Sequence, residues 1–169
     1  LGELRSMRIF VLGEARTPGA YTVSSLSTIT NALYVSGGIK RTGSLRNVQH
    51  KRDGKVVGTL DLYDLLLKGD TSDNERLQSG DVIFIPPVGK LAGIKGEVRR
   101  PALYELEGGQ TVDDIIRLSG GFTADAYPKR AQLQRVDENF HLSLKDLNLT
   151  TASDQQLPLQ TGDILTVSS

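Results

Sequence analysis

Gly13-Glu14-Ala15-Arg16-Thr17-Pro18 returns 83 residues later as Gly96-Glu97-Val98-Arg99-Arg100-Pro101. The echo runs outward from there. At the same offset Tyr21 meets Tyr104, Thr28 meets Thr111, and Ser36-Gly37-Gly38 meets Ser119-Gly120-Gly121. At an offset of 82, Asp64-Leu65 matches Asp146-Leu147, and Leu77-Gln78-Ser79-Gly80-Asp81 matches Leu159-Gln160-Thr161-Gly162-Asp163. A loop one residue shorter in the second copy accounts for the change of offset. Matches that keep order and spacing, and that fall on Gly, Pro and apolar positions, mark a duplicated structural unit. Pro86-Pro87-Val88-Gly89-Lys90 continues neither strand nor helix and reads as a linker. The expected domains are therefore residues 1–87 and 88–169, each near the lower size limit for independent folding.

Within one copy, Arg8 to Leu12 is apolar and β-branched and predicts a strand. Thr17-Pro18-Gly19 predicts a turn, and Ala20 to Val23 the returning strand. In the second copy Gly93-Ile94 and Leu103 to Leu106 repeat this hairpin. Ile29, Ala32, Leu33 and Ser36 share one helical face, as do Val112, Ile115, Ile116 and Ser119. Thr111 with Asp114 has the spacing of a capping box, and Gly37 and Gly120 end the helices. Strands over 45–51 and 55–60 flank the turn dipeptide Asp53-Gly54; in the second copy strands over 131–136 and 140–142 flank Glu138-Asn139. A short helix over 62–68 ends at Gly69, with a weaker counterpart around 144–147. Gly80-Asp81 and Gly162-Asp163 turn into last strands at Val82 and Ile164. The order β-β-α-β-β-(short α)-β is that of an α+β unit in which a mixed sheet wraps one helix. Two tandem β-grasp (ubiquitin-like) domains are expected.

Composition narrows the chemistry. Lys+Arg and Asp+Glu both number 20, so no global field draws in nucleic acid, and none is expected as a partner. With no cysteine, thiol nucleophiles, disulfides and thiolate metal sites are out, and the lack of thiols leans toward an oxidising compartment. No apolar run approaches the roughly 20 residues that span a bilayer. The first residue is Leu1, not Met, so a piece of a longer chain is expected.

No catalytic constellation emerges, and no cofactor or metal is expected. His50 and His141 sit at unmatched positions, in no metal-ligand spacing, and read as surface or strand-face residues. Ser36 and Ser119 lie at helix ends, unlike a nucleophile on a strand-to-helix elbow. Gly89-Lys90 lacks the rest of a phosphate loop. Asp113-Asp114 sits in a first helical turn, where carboxylates offset the dipole. Arg16, Arg99 and Arg100 stand at the first hairpin turn of each copy. They read either as solvated charges paired with Glu14 or Glu97, or as contacts to a neighbouring subunit or an acidic polymer. Tyr21 and Tyr104 read as aromatics at the edge of the core, or as ligand-stacking faces. The absence of Trp and the 5% aromatic content argue against a tight lectin.

Each copy carries G-E-x-R-x-P-(G/A)-x-Y, then T-(I/V)…S-G-G, then L-Q-x-G-D-(V/I)-(I/L). This combination resembles the SLBB, or soluble ligand binding β-grasp, domain, over nearly the whole chain. Tandem copies resemble the periplasmic part of bacterial outer-membrane polysaccharide export proteins of the Wza-like family. The resemblance implies a non-enzymatic, periplasmic role in a parent attached to the outer membrane. There the units would pack subunits into a homo-oligomeric ring around a conduit for capsule or exopolysaccharide. An inner-membrane polysaccharide co-polymerase is the implied partner. SLBB domains also occur in cobalamin-binding proteins and respiratory-complex subunits, so a soluble oligosaccharide- or cobalamin-binding role is the alternative. In either case the contacts expected are Arg16, Tyr21, Arg99, Arg100 and Tyr104.

Overall fold

The computed structural model describes residues 5–169. The chain divides into two compact units, the first ending at Val88 and the second spanning Gly89–Ser169. The first contains β1 (Ser6–Gly13), β2 (Gly19–Ser24), α1 (Ile29–Val35), β3 (Val48–Arg52), β4 (Lys55–Leu60), α2 (Leu62–Lys68) and β5 (Val82–Ile85). The second repeats the order as β6 (Lys90–Gly96), β7 (Ala102–Leu106), α3 (Val112–Leu118), β8 (Ala131–Val136), β9 (Leu142–Leu147), α4 (Ala152–Gln155) and β10 (Ile164–Val167). Each sheet has five strands, in the orders β2-β1-β5-β3-β4 and β7-β6-β10-β8-β9. The first and last strands of each unit pair in parallel at the centre, and every other pairing is antiparallel. Two mixed sheets, each against its helix, are the β-grasp arrangement expected.

Strand alternation builds the core. In β1, Ile9 and Val11 are fully buried while Phe10 and Leu12 face outward, 37% and 39% exposed. The inward set meets Ile29, Ala32 and Leu33 of α1, with Val48, Leu60, Ile83 and Ile85 from the remaining strands. In the second unit Ile94, Val112, Ile115, Leu133, Leu147 and Leu165 are buried in the same pattern. Ser36 and Ser119 end the helices fully buried, each hydroxyl donating back into its own last turn, to Leu33 O and Ile116 O. Gly37 and Gly120 then take φ of +84° and +88°, which a side chain would resist.

The hairpins bear the differences between the copies. Asp53 and Gly54 both take positive φ in a two-residue turn, the geometry that matches strand twist. The β8–β9 hairpin is longer, closed over 137–141 with Phe140 in the left-handed region, so Phe140 belongs to the turn and not to a strand. Residues 144–147 are the end of β9, not a helix; the short helix lies later, at Ala152–Gln155. The reason is pairing: Leu147 opposes Ala131 and is buried, as Leu60 opposes Val48. Leu147 is thus the partner of Leu60, and the match of Asp64-Leu65 with Asp146-Leu147 is a coincidence of sequence. The second copy gains residues in a hairpin and loses them between β9 and β10; the single missing residue is the net. Two boundaries also move. Lys90 opens β6, and β3 begins at Val48, because the Ser44 hydroxyl accepts from the amides of Arg46 and Asn47 and holds that stretch as a turn.

Candidate functional site

The G-E-x-R corner is built identically in the two units. Gly13 and Gly96 take φ of +84° and +88°, and a Cβ there would lie 2.2 and 2.1 Å from the carbonyl oxygens of Ile85 and Val167. Only glycine allows this approach. The following residues, Glu14 and Glu97, donate their amides to those same carbonyls. Their carboxylates accept from the hydroxyls of Thr42 (2.7 Å) and Thr123 (2.6 Å). The glutamates therefore serve the loops, and neither pairs with the neighbouring arginine.

Arg16 and Arg99 then reach the Gly-Gly turns, donating backbone amides to Gly38 O and Gly121 O, both at 3.0 Å. Their side chains are exposed, and among the described residues neither makes an ion pair. Arg100 is engaged: its guanidinium donates to Leu118 O at 3.0 Å, at the open end of α3, where a cation suits the helix dipole. The tyrosines are clasps. The Tyr104 hydroxyl donates to Arg100 O at 2.7 Å, and Tyr21 makes the same bond to Thr17 O. Tyr104 is 8% exposed and Tyr21 packs at the rim of the first core. The structure thus brings Arg16 with Tyr21, and Arg99 and Arg100 with Tyr104, into one corner per unit. It leaves Arg16 and Arg99 as the charges facing solvent.

A second feature recurs in the two units and was not anticipated. Asp81 and Asp163, at the turns into β5 and β10, are buried. Each accepts a two-pronged contact from an arginine near the end of the adjacent strand: Arg52 at 2.9 and 2.8 Å, Arg135 at 3.0 and 2.9 Å. Each also accepts the amide three residues back, Gln78 or Gln160, at 2.8 Å. Burial alone would raise the Asp81 pKa, but Arg52, His50 and the Gln78 amide outweigh it and hold the carboxyl at about 2. The recurrence of Arg52 as Arg135 at the repeat offset is the sequence signal for this clip.

His50 is not a surface residue. It is fully buried, with Nε2 2.6 Å from Asp81 Oδ2 and Nδ1 without a hydrogen bond, 3.8 Å from the half-exposed Glu75 carboxylate. The second unit puts the buried Leu133 at the matching position. His141 is exposed in the hairpin turn beside Asp137. No group of three or more His, Cys, Asp or Glu among the described residues is placed to hold a metal ion. No helix among them is long and apolar enough to cross a membrane.

Two surface concavities stand out. In the first unit an apolar groove of about 600 Å³ opens between α1 and α2, bordered by Leu33, Ile39, Leu45 and Leu65 with the exposed Tyr34 and Leu66. In the second, a polar hollow of about 510 Å³ lies against β8 and β10, bordered by Tyr127, Lys129, Arg130 and Gln132.

The twin units, with their repeated corners and parallel first and last strands, define a tandem β-grasp protein. Models of the SLBB domain match residues 7–85 and, separately, 91–140. The chain belongs to the SLBB-domain family and carries two of these domains in tandem. It is 26% identical over 172 residues to the polysialic acid transport protein KpsD of Escherichia coli, covering 99% of this chain and 29% of that protein. It is 28% identical over 151 residues to the EPS I polysaccharide export outer membrane protein EpsA of Ralstonia nicotianae, covering 83% of this chain and 39% of that one. The chain thus spans well under half the length of these curated relatives.

Proposed function

We propose that this chain is the periplasmic assembly and binding part of a capsule or exopolysaccharide export protein attached to the outer membrane. The carrying observation is the tandem of SLBB domains, aligned along nearly its whole length with relatives named for polysaccharide transport and export. The role is non-catalytic. The two units contribute to packing between neighbouring subunits of a ring and to the wall of a polymer passage. Exposed apolar surface on the first unit supports the packing part: Tyr34 is 86% exposed and Leu66 70%, at the groove between α1 and α2. Apolar patches of this kind mark protein contacts. A ring needs two different faces in contact, and the two non-identical units supply different faces. The unpaired charges Arg16 and Arg99, on turns clasped by Tyr21 and Tyr104, are the proposed corner contacts. An inner-membrane polysaccharide co-polymerase is the proposed partner across the periplasm.

The test is the mass of the full-length parent in membrane-like detergent, by light scattering or native mass spectrometry. A closed oligomer is expected, weakened by Leu66→Glu in the groove. A strictly monomeric parent overturns the reading.

A further inference from the structure

We propose that the outer face of the second unit's sheet, with the turn over residues 127–130, is a contact site for a carboxylate-bearing polysaccharide. The inference rests on the export reading above and assigns the chemistry and place of a polymer contact.

Duplication provides an internal comparison. Strand register sets Lys95, Thr166, Gln132 and Asp146 side by side across β6, β10, β8 and β9. The same row in the first unit is Leu12, Phe84, Gln49 and Thr59. The backbone is alike, so the fold does not dictate polarity at these positions. One copy keeps Leu12 and Phe84 where the other has Lys95 and Thr166. A polar outer face is ordinary for a sheet covered on one side only. Three further observations set this one apart.

First, the face is concave, the hollow of about 510 Å³ being bounded by the 127–130 turn. Second, that turn is tied down through its backbone: Tyr127 N donates to Ser168 O at 2.8 Å, Arg130 N to Tyr127 O at 3.0 Å, and Ser168 N to Arg130 O at 3.2 Å. Tyr127 is nevertheless 50% exposed, a flat amphipathic ring presented at low entropic cost. Third, the cations are uncommitted. Lys129 and Arg130 are exposed and make no ion pair among the described residues, and neither does Lys95. The first unit fills the same corner. Ser44, which donates its amide to Pro86 O as Tyr127 does to Ser168 O, is buried. Two residues on, Arg46 is spent on Asp61 at 3.1 Å and on the Tyr63 ring at 4.7 Å. The second copy thus has an open, cationic, aromatic-edged hollow where the first has a closed structural corner.

The ligand class follows. Lys129 and Arg130 border the hollow against the single carboxylate of Asp146, and Lys95 stands in the same row of the sheet, on a chain whose net charge is zero. Arg130 can fork onto a sugar carboxylate, Lys129 supplies a point charge, and the Tyr127 ring offers a face to a pyranose. Gln132, Thr166, Ser168 and Asp146 exchange hydrogen bonds with hydroxyls. The site is open and lies on the surface, as polymer that must move on requires.

The test is titration of the ¹⁵N-labelled chain with oligogalacturonate of ten units and, in parallel, with neutral dextran oligomers of equal length, at 50 and 300 mM salt. Saturable shifts are expected at 127–132, 146 and 166–168 with the uronate, with dextran at least tenfold weaker. Arg130→Glu and Lys129→Glu are each expected to weaken uronate binding at least fivefold, and Tyr127→Ala by a similar factor that persists at the higher salt. Lys55→Glu, a charge change of equal size at an exposed position of the other unit, should leave binding within twofold. The amide spectra of the variants report that the fold is kept. No saturable shifts, shifts centred elsewhere, equal binding of dextran, or an equal loss in Lys55→Glu each overturn the site. Those results leave the export reading standing, because that reading falls or holds on the mass of the parent.

Discussion

Asp81 and Asp163 show how a single side chain ties three parts of a unit together. Each carboxylate closes its own turn through a backbone amide and clamps an arginine from the neighbouring strand. Removing one partner of a buried pair leaves the other uncompensated. Asp163→Asn is expected to cost about 3 kcal/mol in chemical denaturation of the second unit. A loss below about 1 kcal/mol would show the clip to be dispensable. For Asp81 the acid limb is set by its depressed pKa. The ordinary value of 3.8 falls to about 2 in the fold, so its contribution is complete above pH ~4 and is lost as pH falls from there through 2. The acid unfolding of the wild type should therefore exceed that of Asp81→Asn in steepness across this window. His50→Leu, which copies the residue of the other unit, is expected to cost no more than about 1 kcal/mol, because it also removes an unsatisfied buried nitrogen. His50→Ala, which opens a cavity instead, should cost 2–3 kcal/mol by order of magnitude.

At the scale of elements, the corners and caps specify where strands begin and helices end. A methyl group at Gly96 meets the Val167 carbonyl at 2.1 Å and a φ of +88°. Gly96→Ala is expected to part β6 from β10 and cost on the order of 3 kcal/mol, read as loss of slow amide exchange in both strands. Thr111→Ala removes half of a capping box whose two arms are seen at 2.8 and 3.4 Å. It should cost about 1 kcal/mol. Much at this scale was legible in the sequence. The hairpins at Thr17-Pro18-Gly19 and Asp53-Gly54, the α1 and α3 faces, and the helix from 62 to 68 all follow from local turn chemistry and periodicity. The region 137–156 was not legible. Leu142, Leu144 and Leu147 suit a short helix as well as a strand, and only pairing with β8 decides between them. His50 misled for a related reason: strand position was readable, but which face is inward depends on the whole sheet.

For the whole molecule, the two units carry separate cores and separate sheets. We propose that each folds alone: residues 89–169 expressed by themselves should give a dispersed amide spectrum and one cooperative unfolding transition, and a collapsed, undispersed spectrum would count against this. The sequence by itself determined the duplication, the β-grasp order and the family, because these reside in Gly, Pro and apolar spacings that act locally or repeat. It also pointed to Arg16 and Arg99 at exposed corners. Tertiary structure alone decided that the tyrosines clasp turns, that Asp81 and Asp163 are buried clips, and that one row across the outer face holds Leu12 and Phe84 in one copy and Lys95 and Thr166 in the other. Those properties depend on which residues from distant strands stand side by side, and register is set only when the sheet closes over its helix.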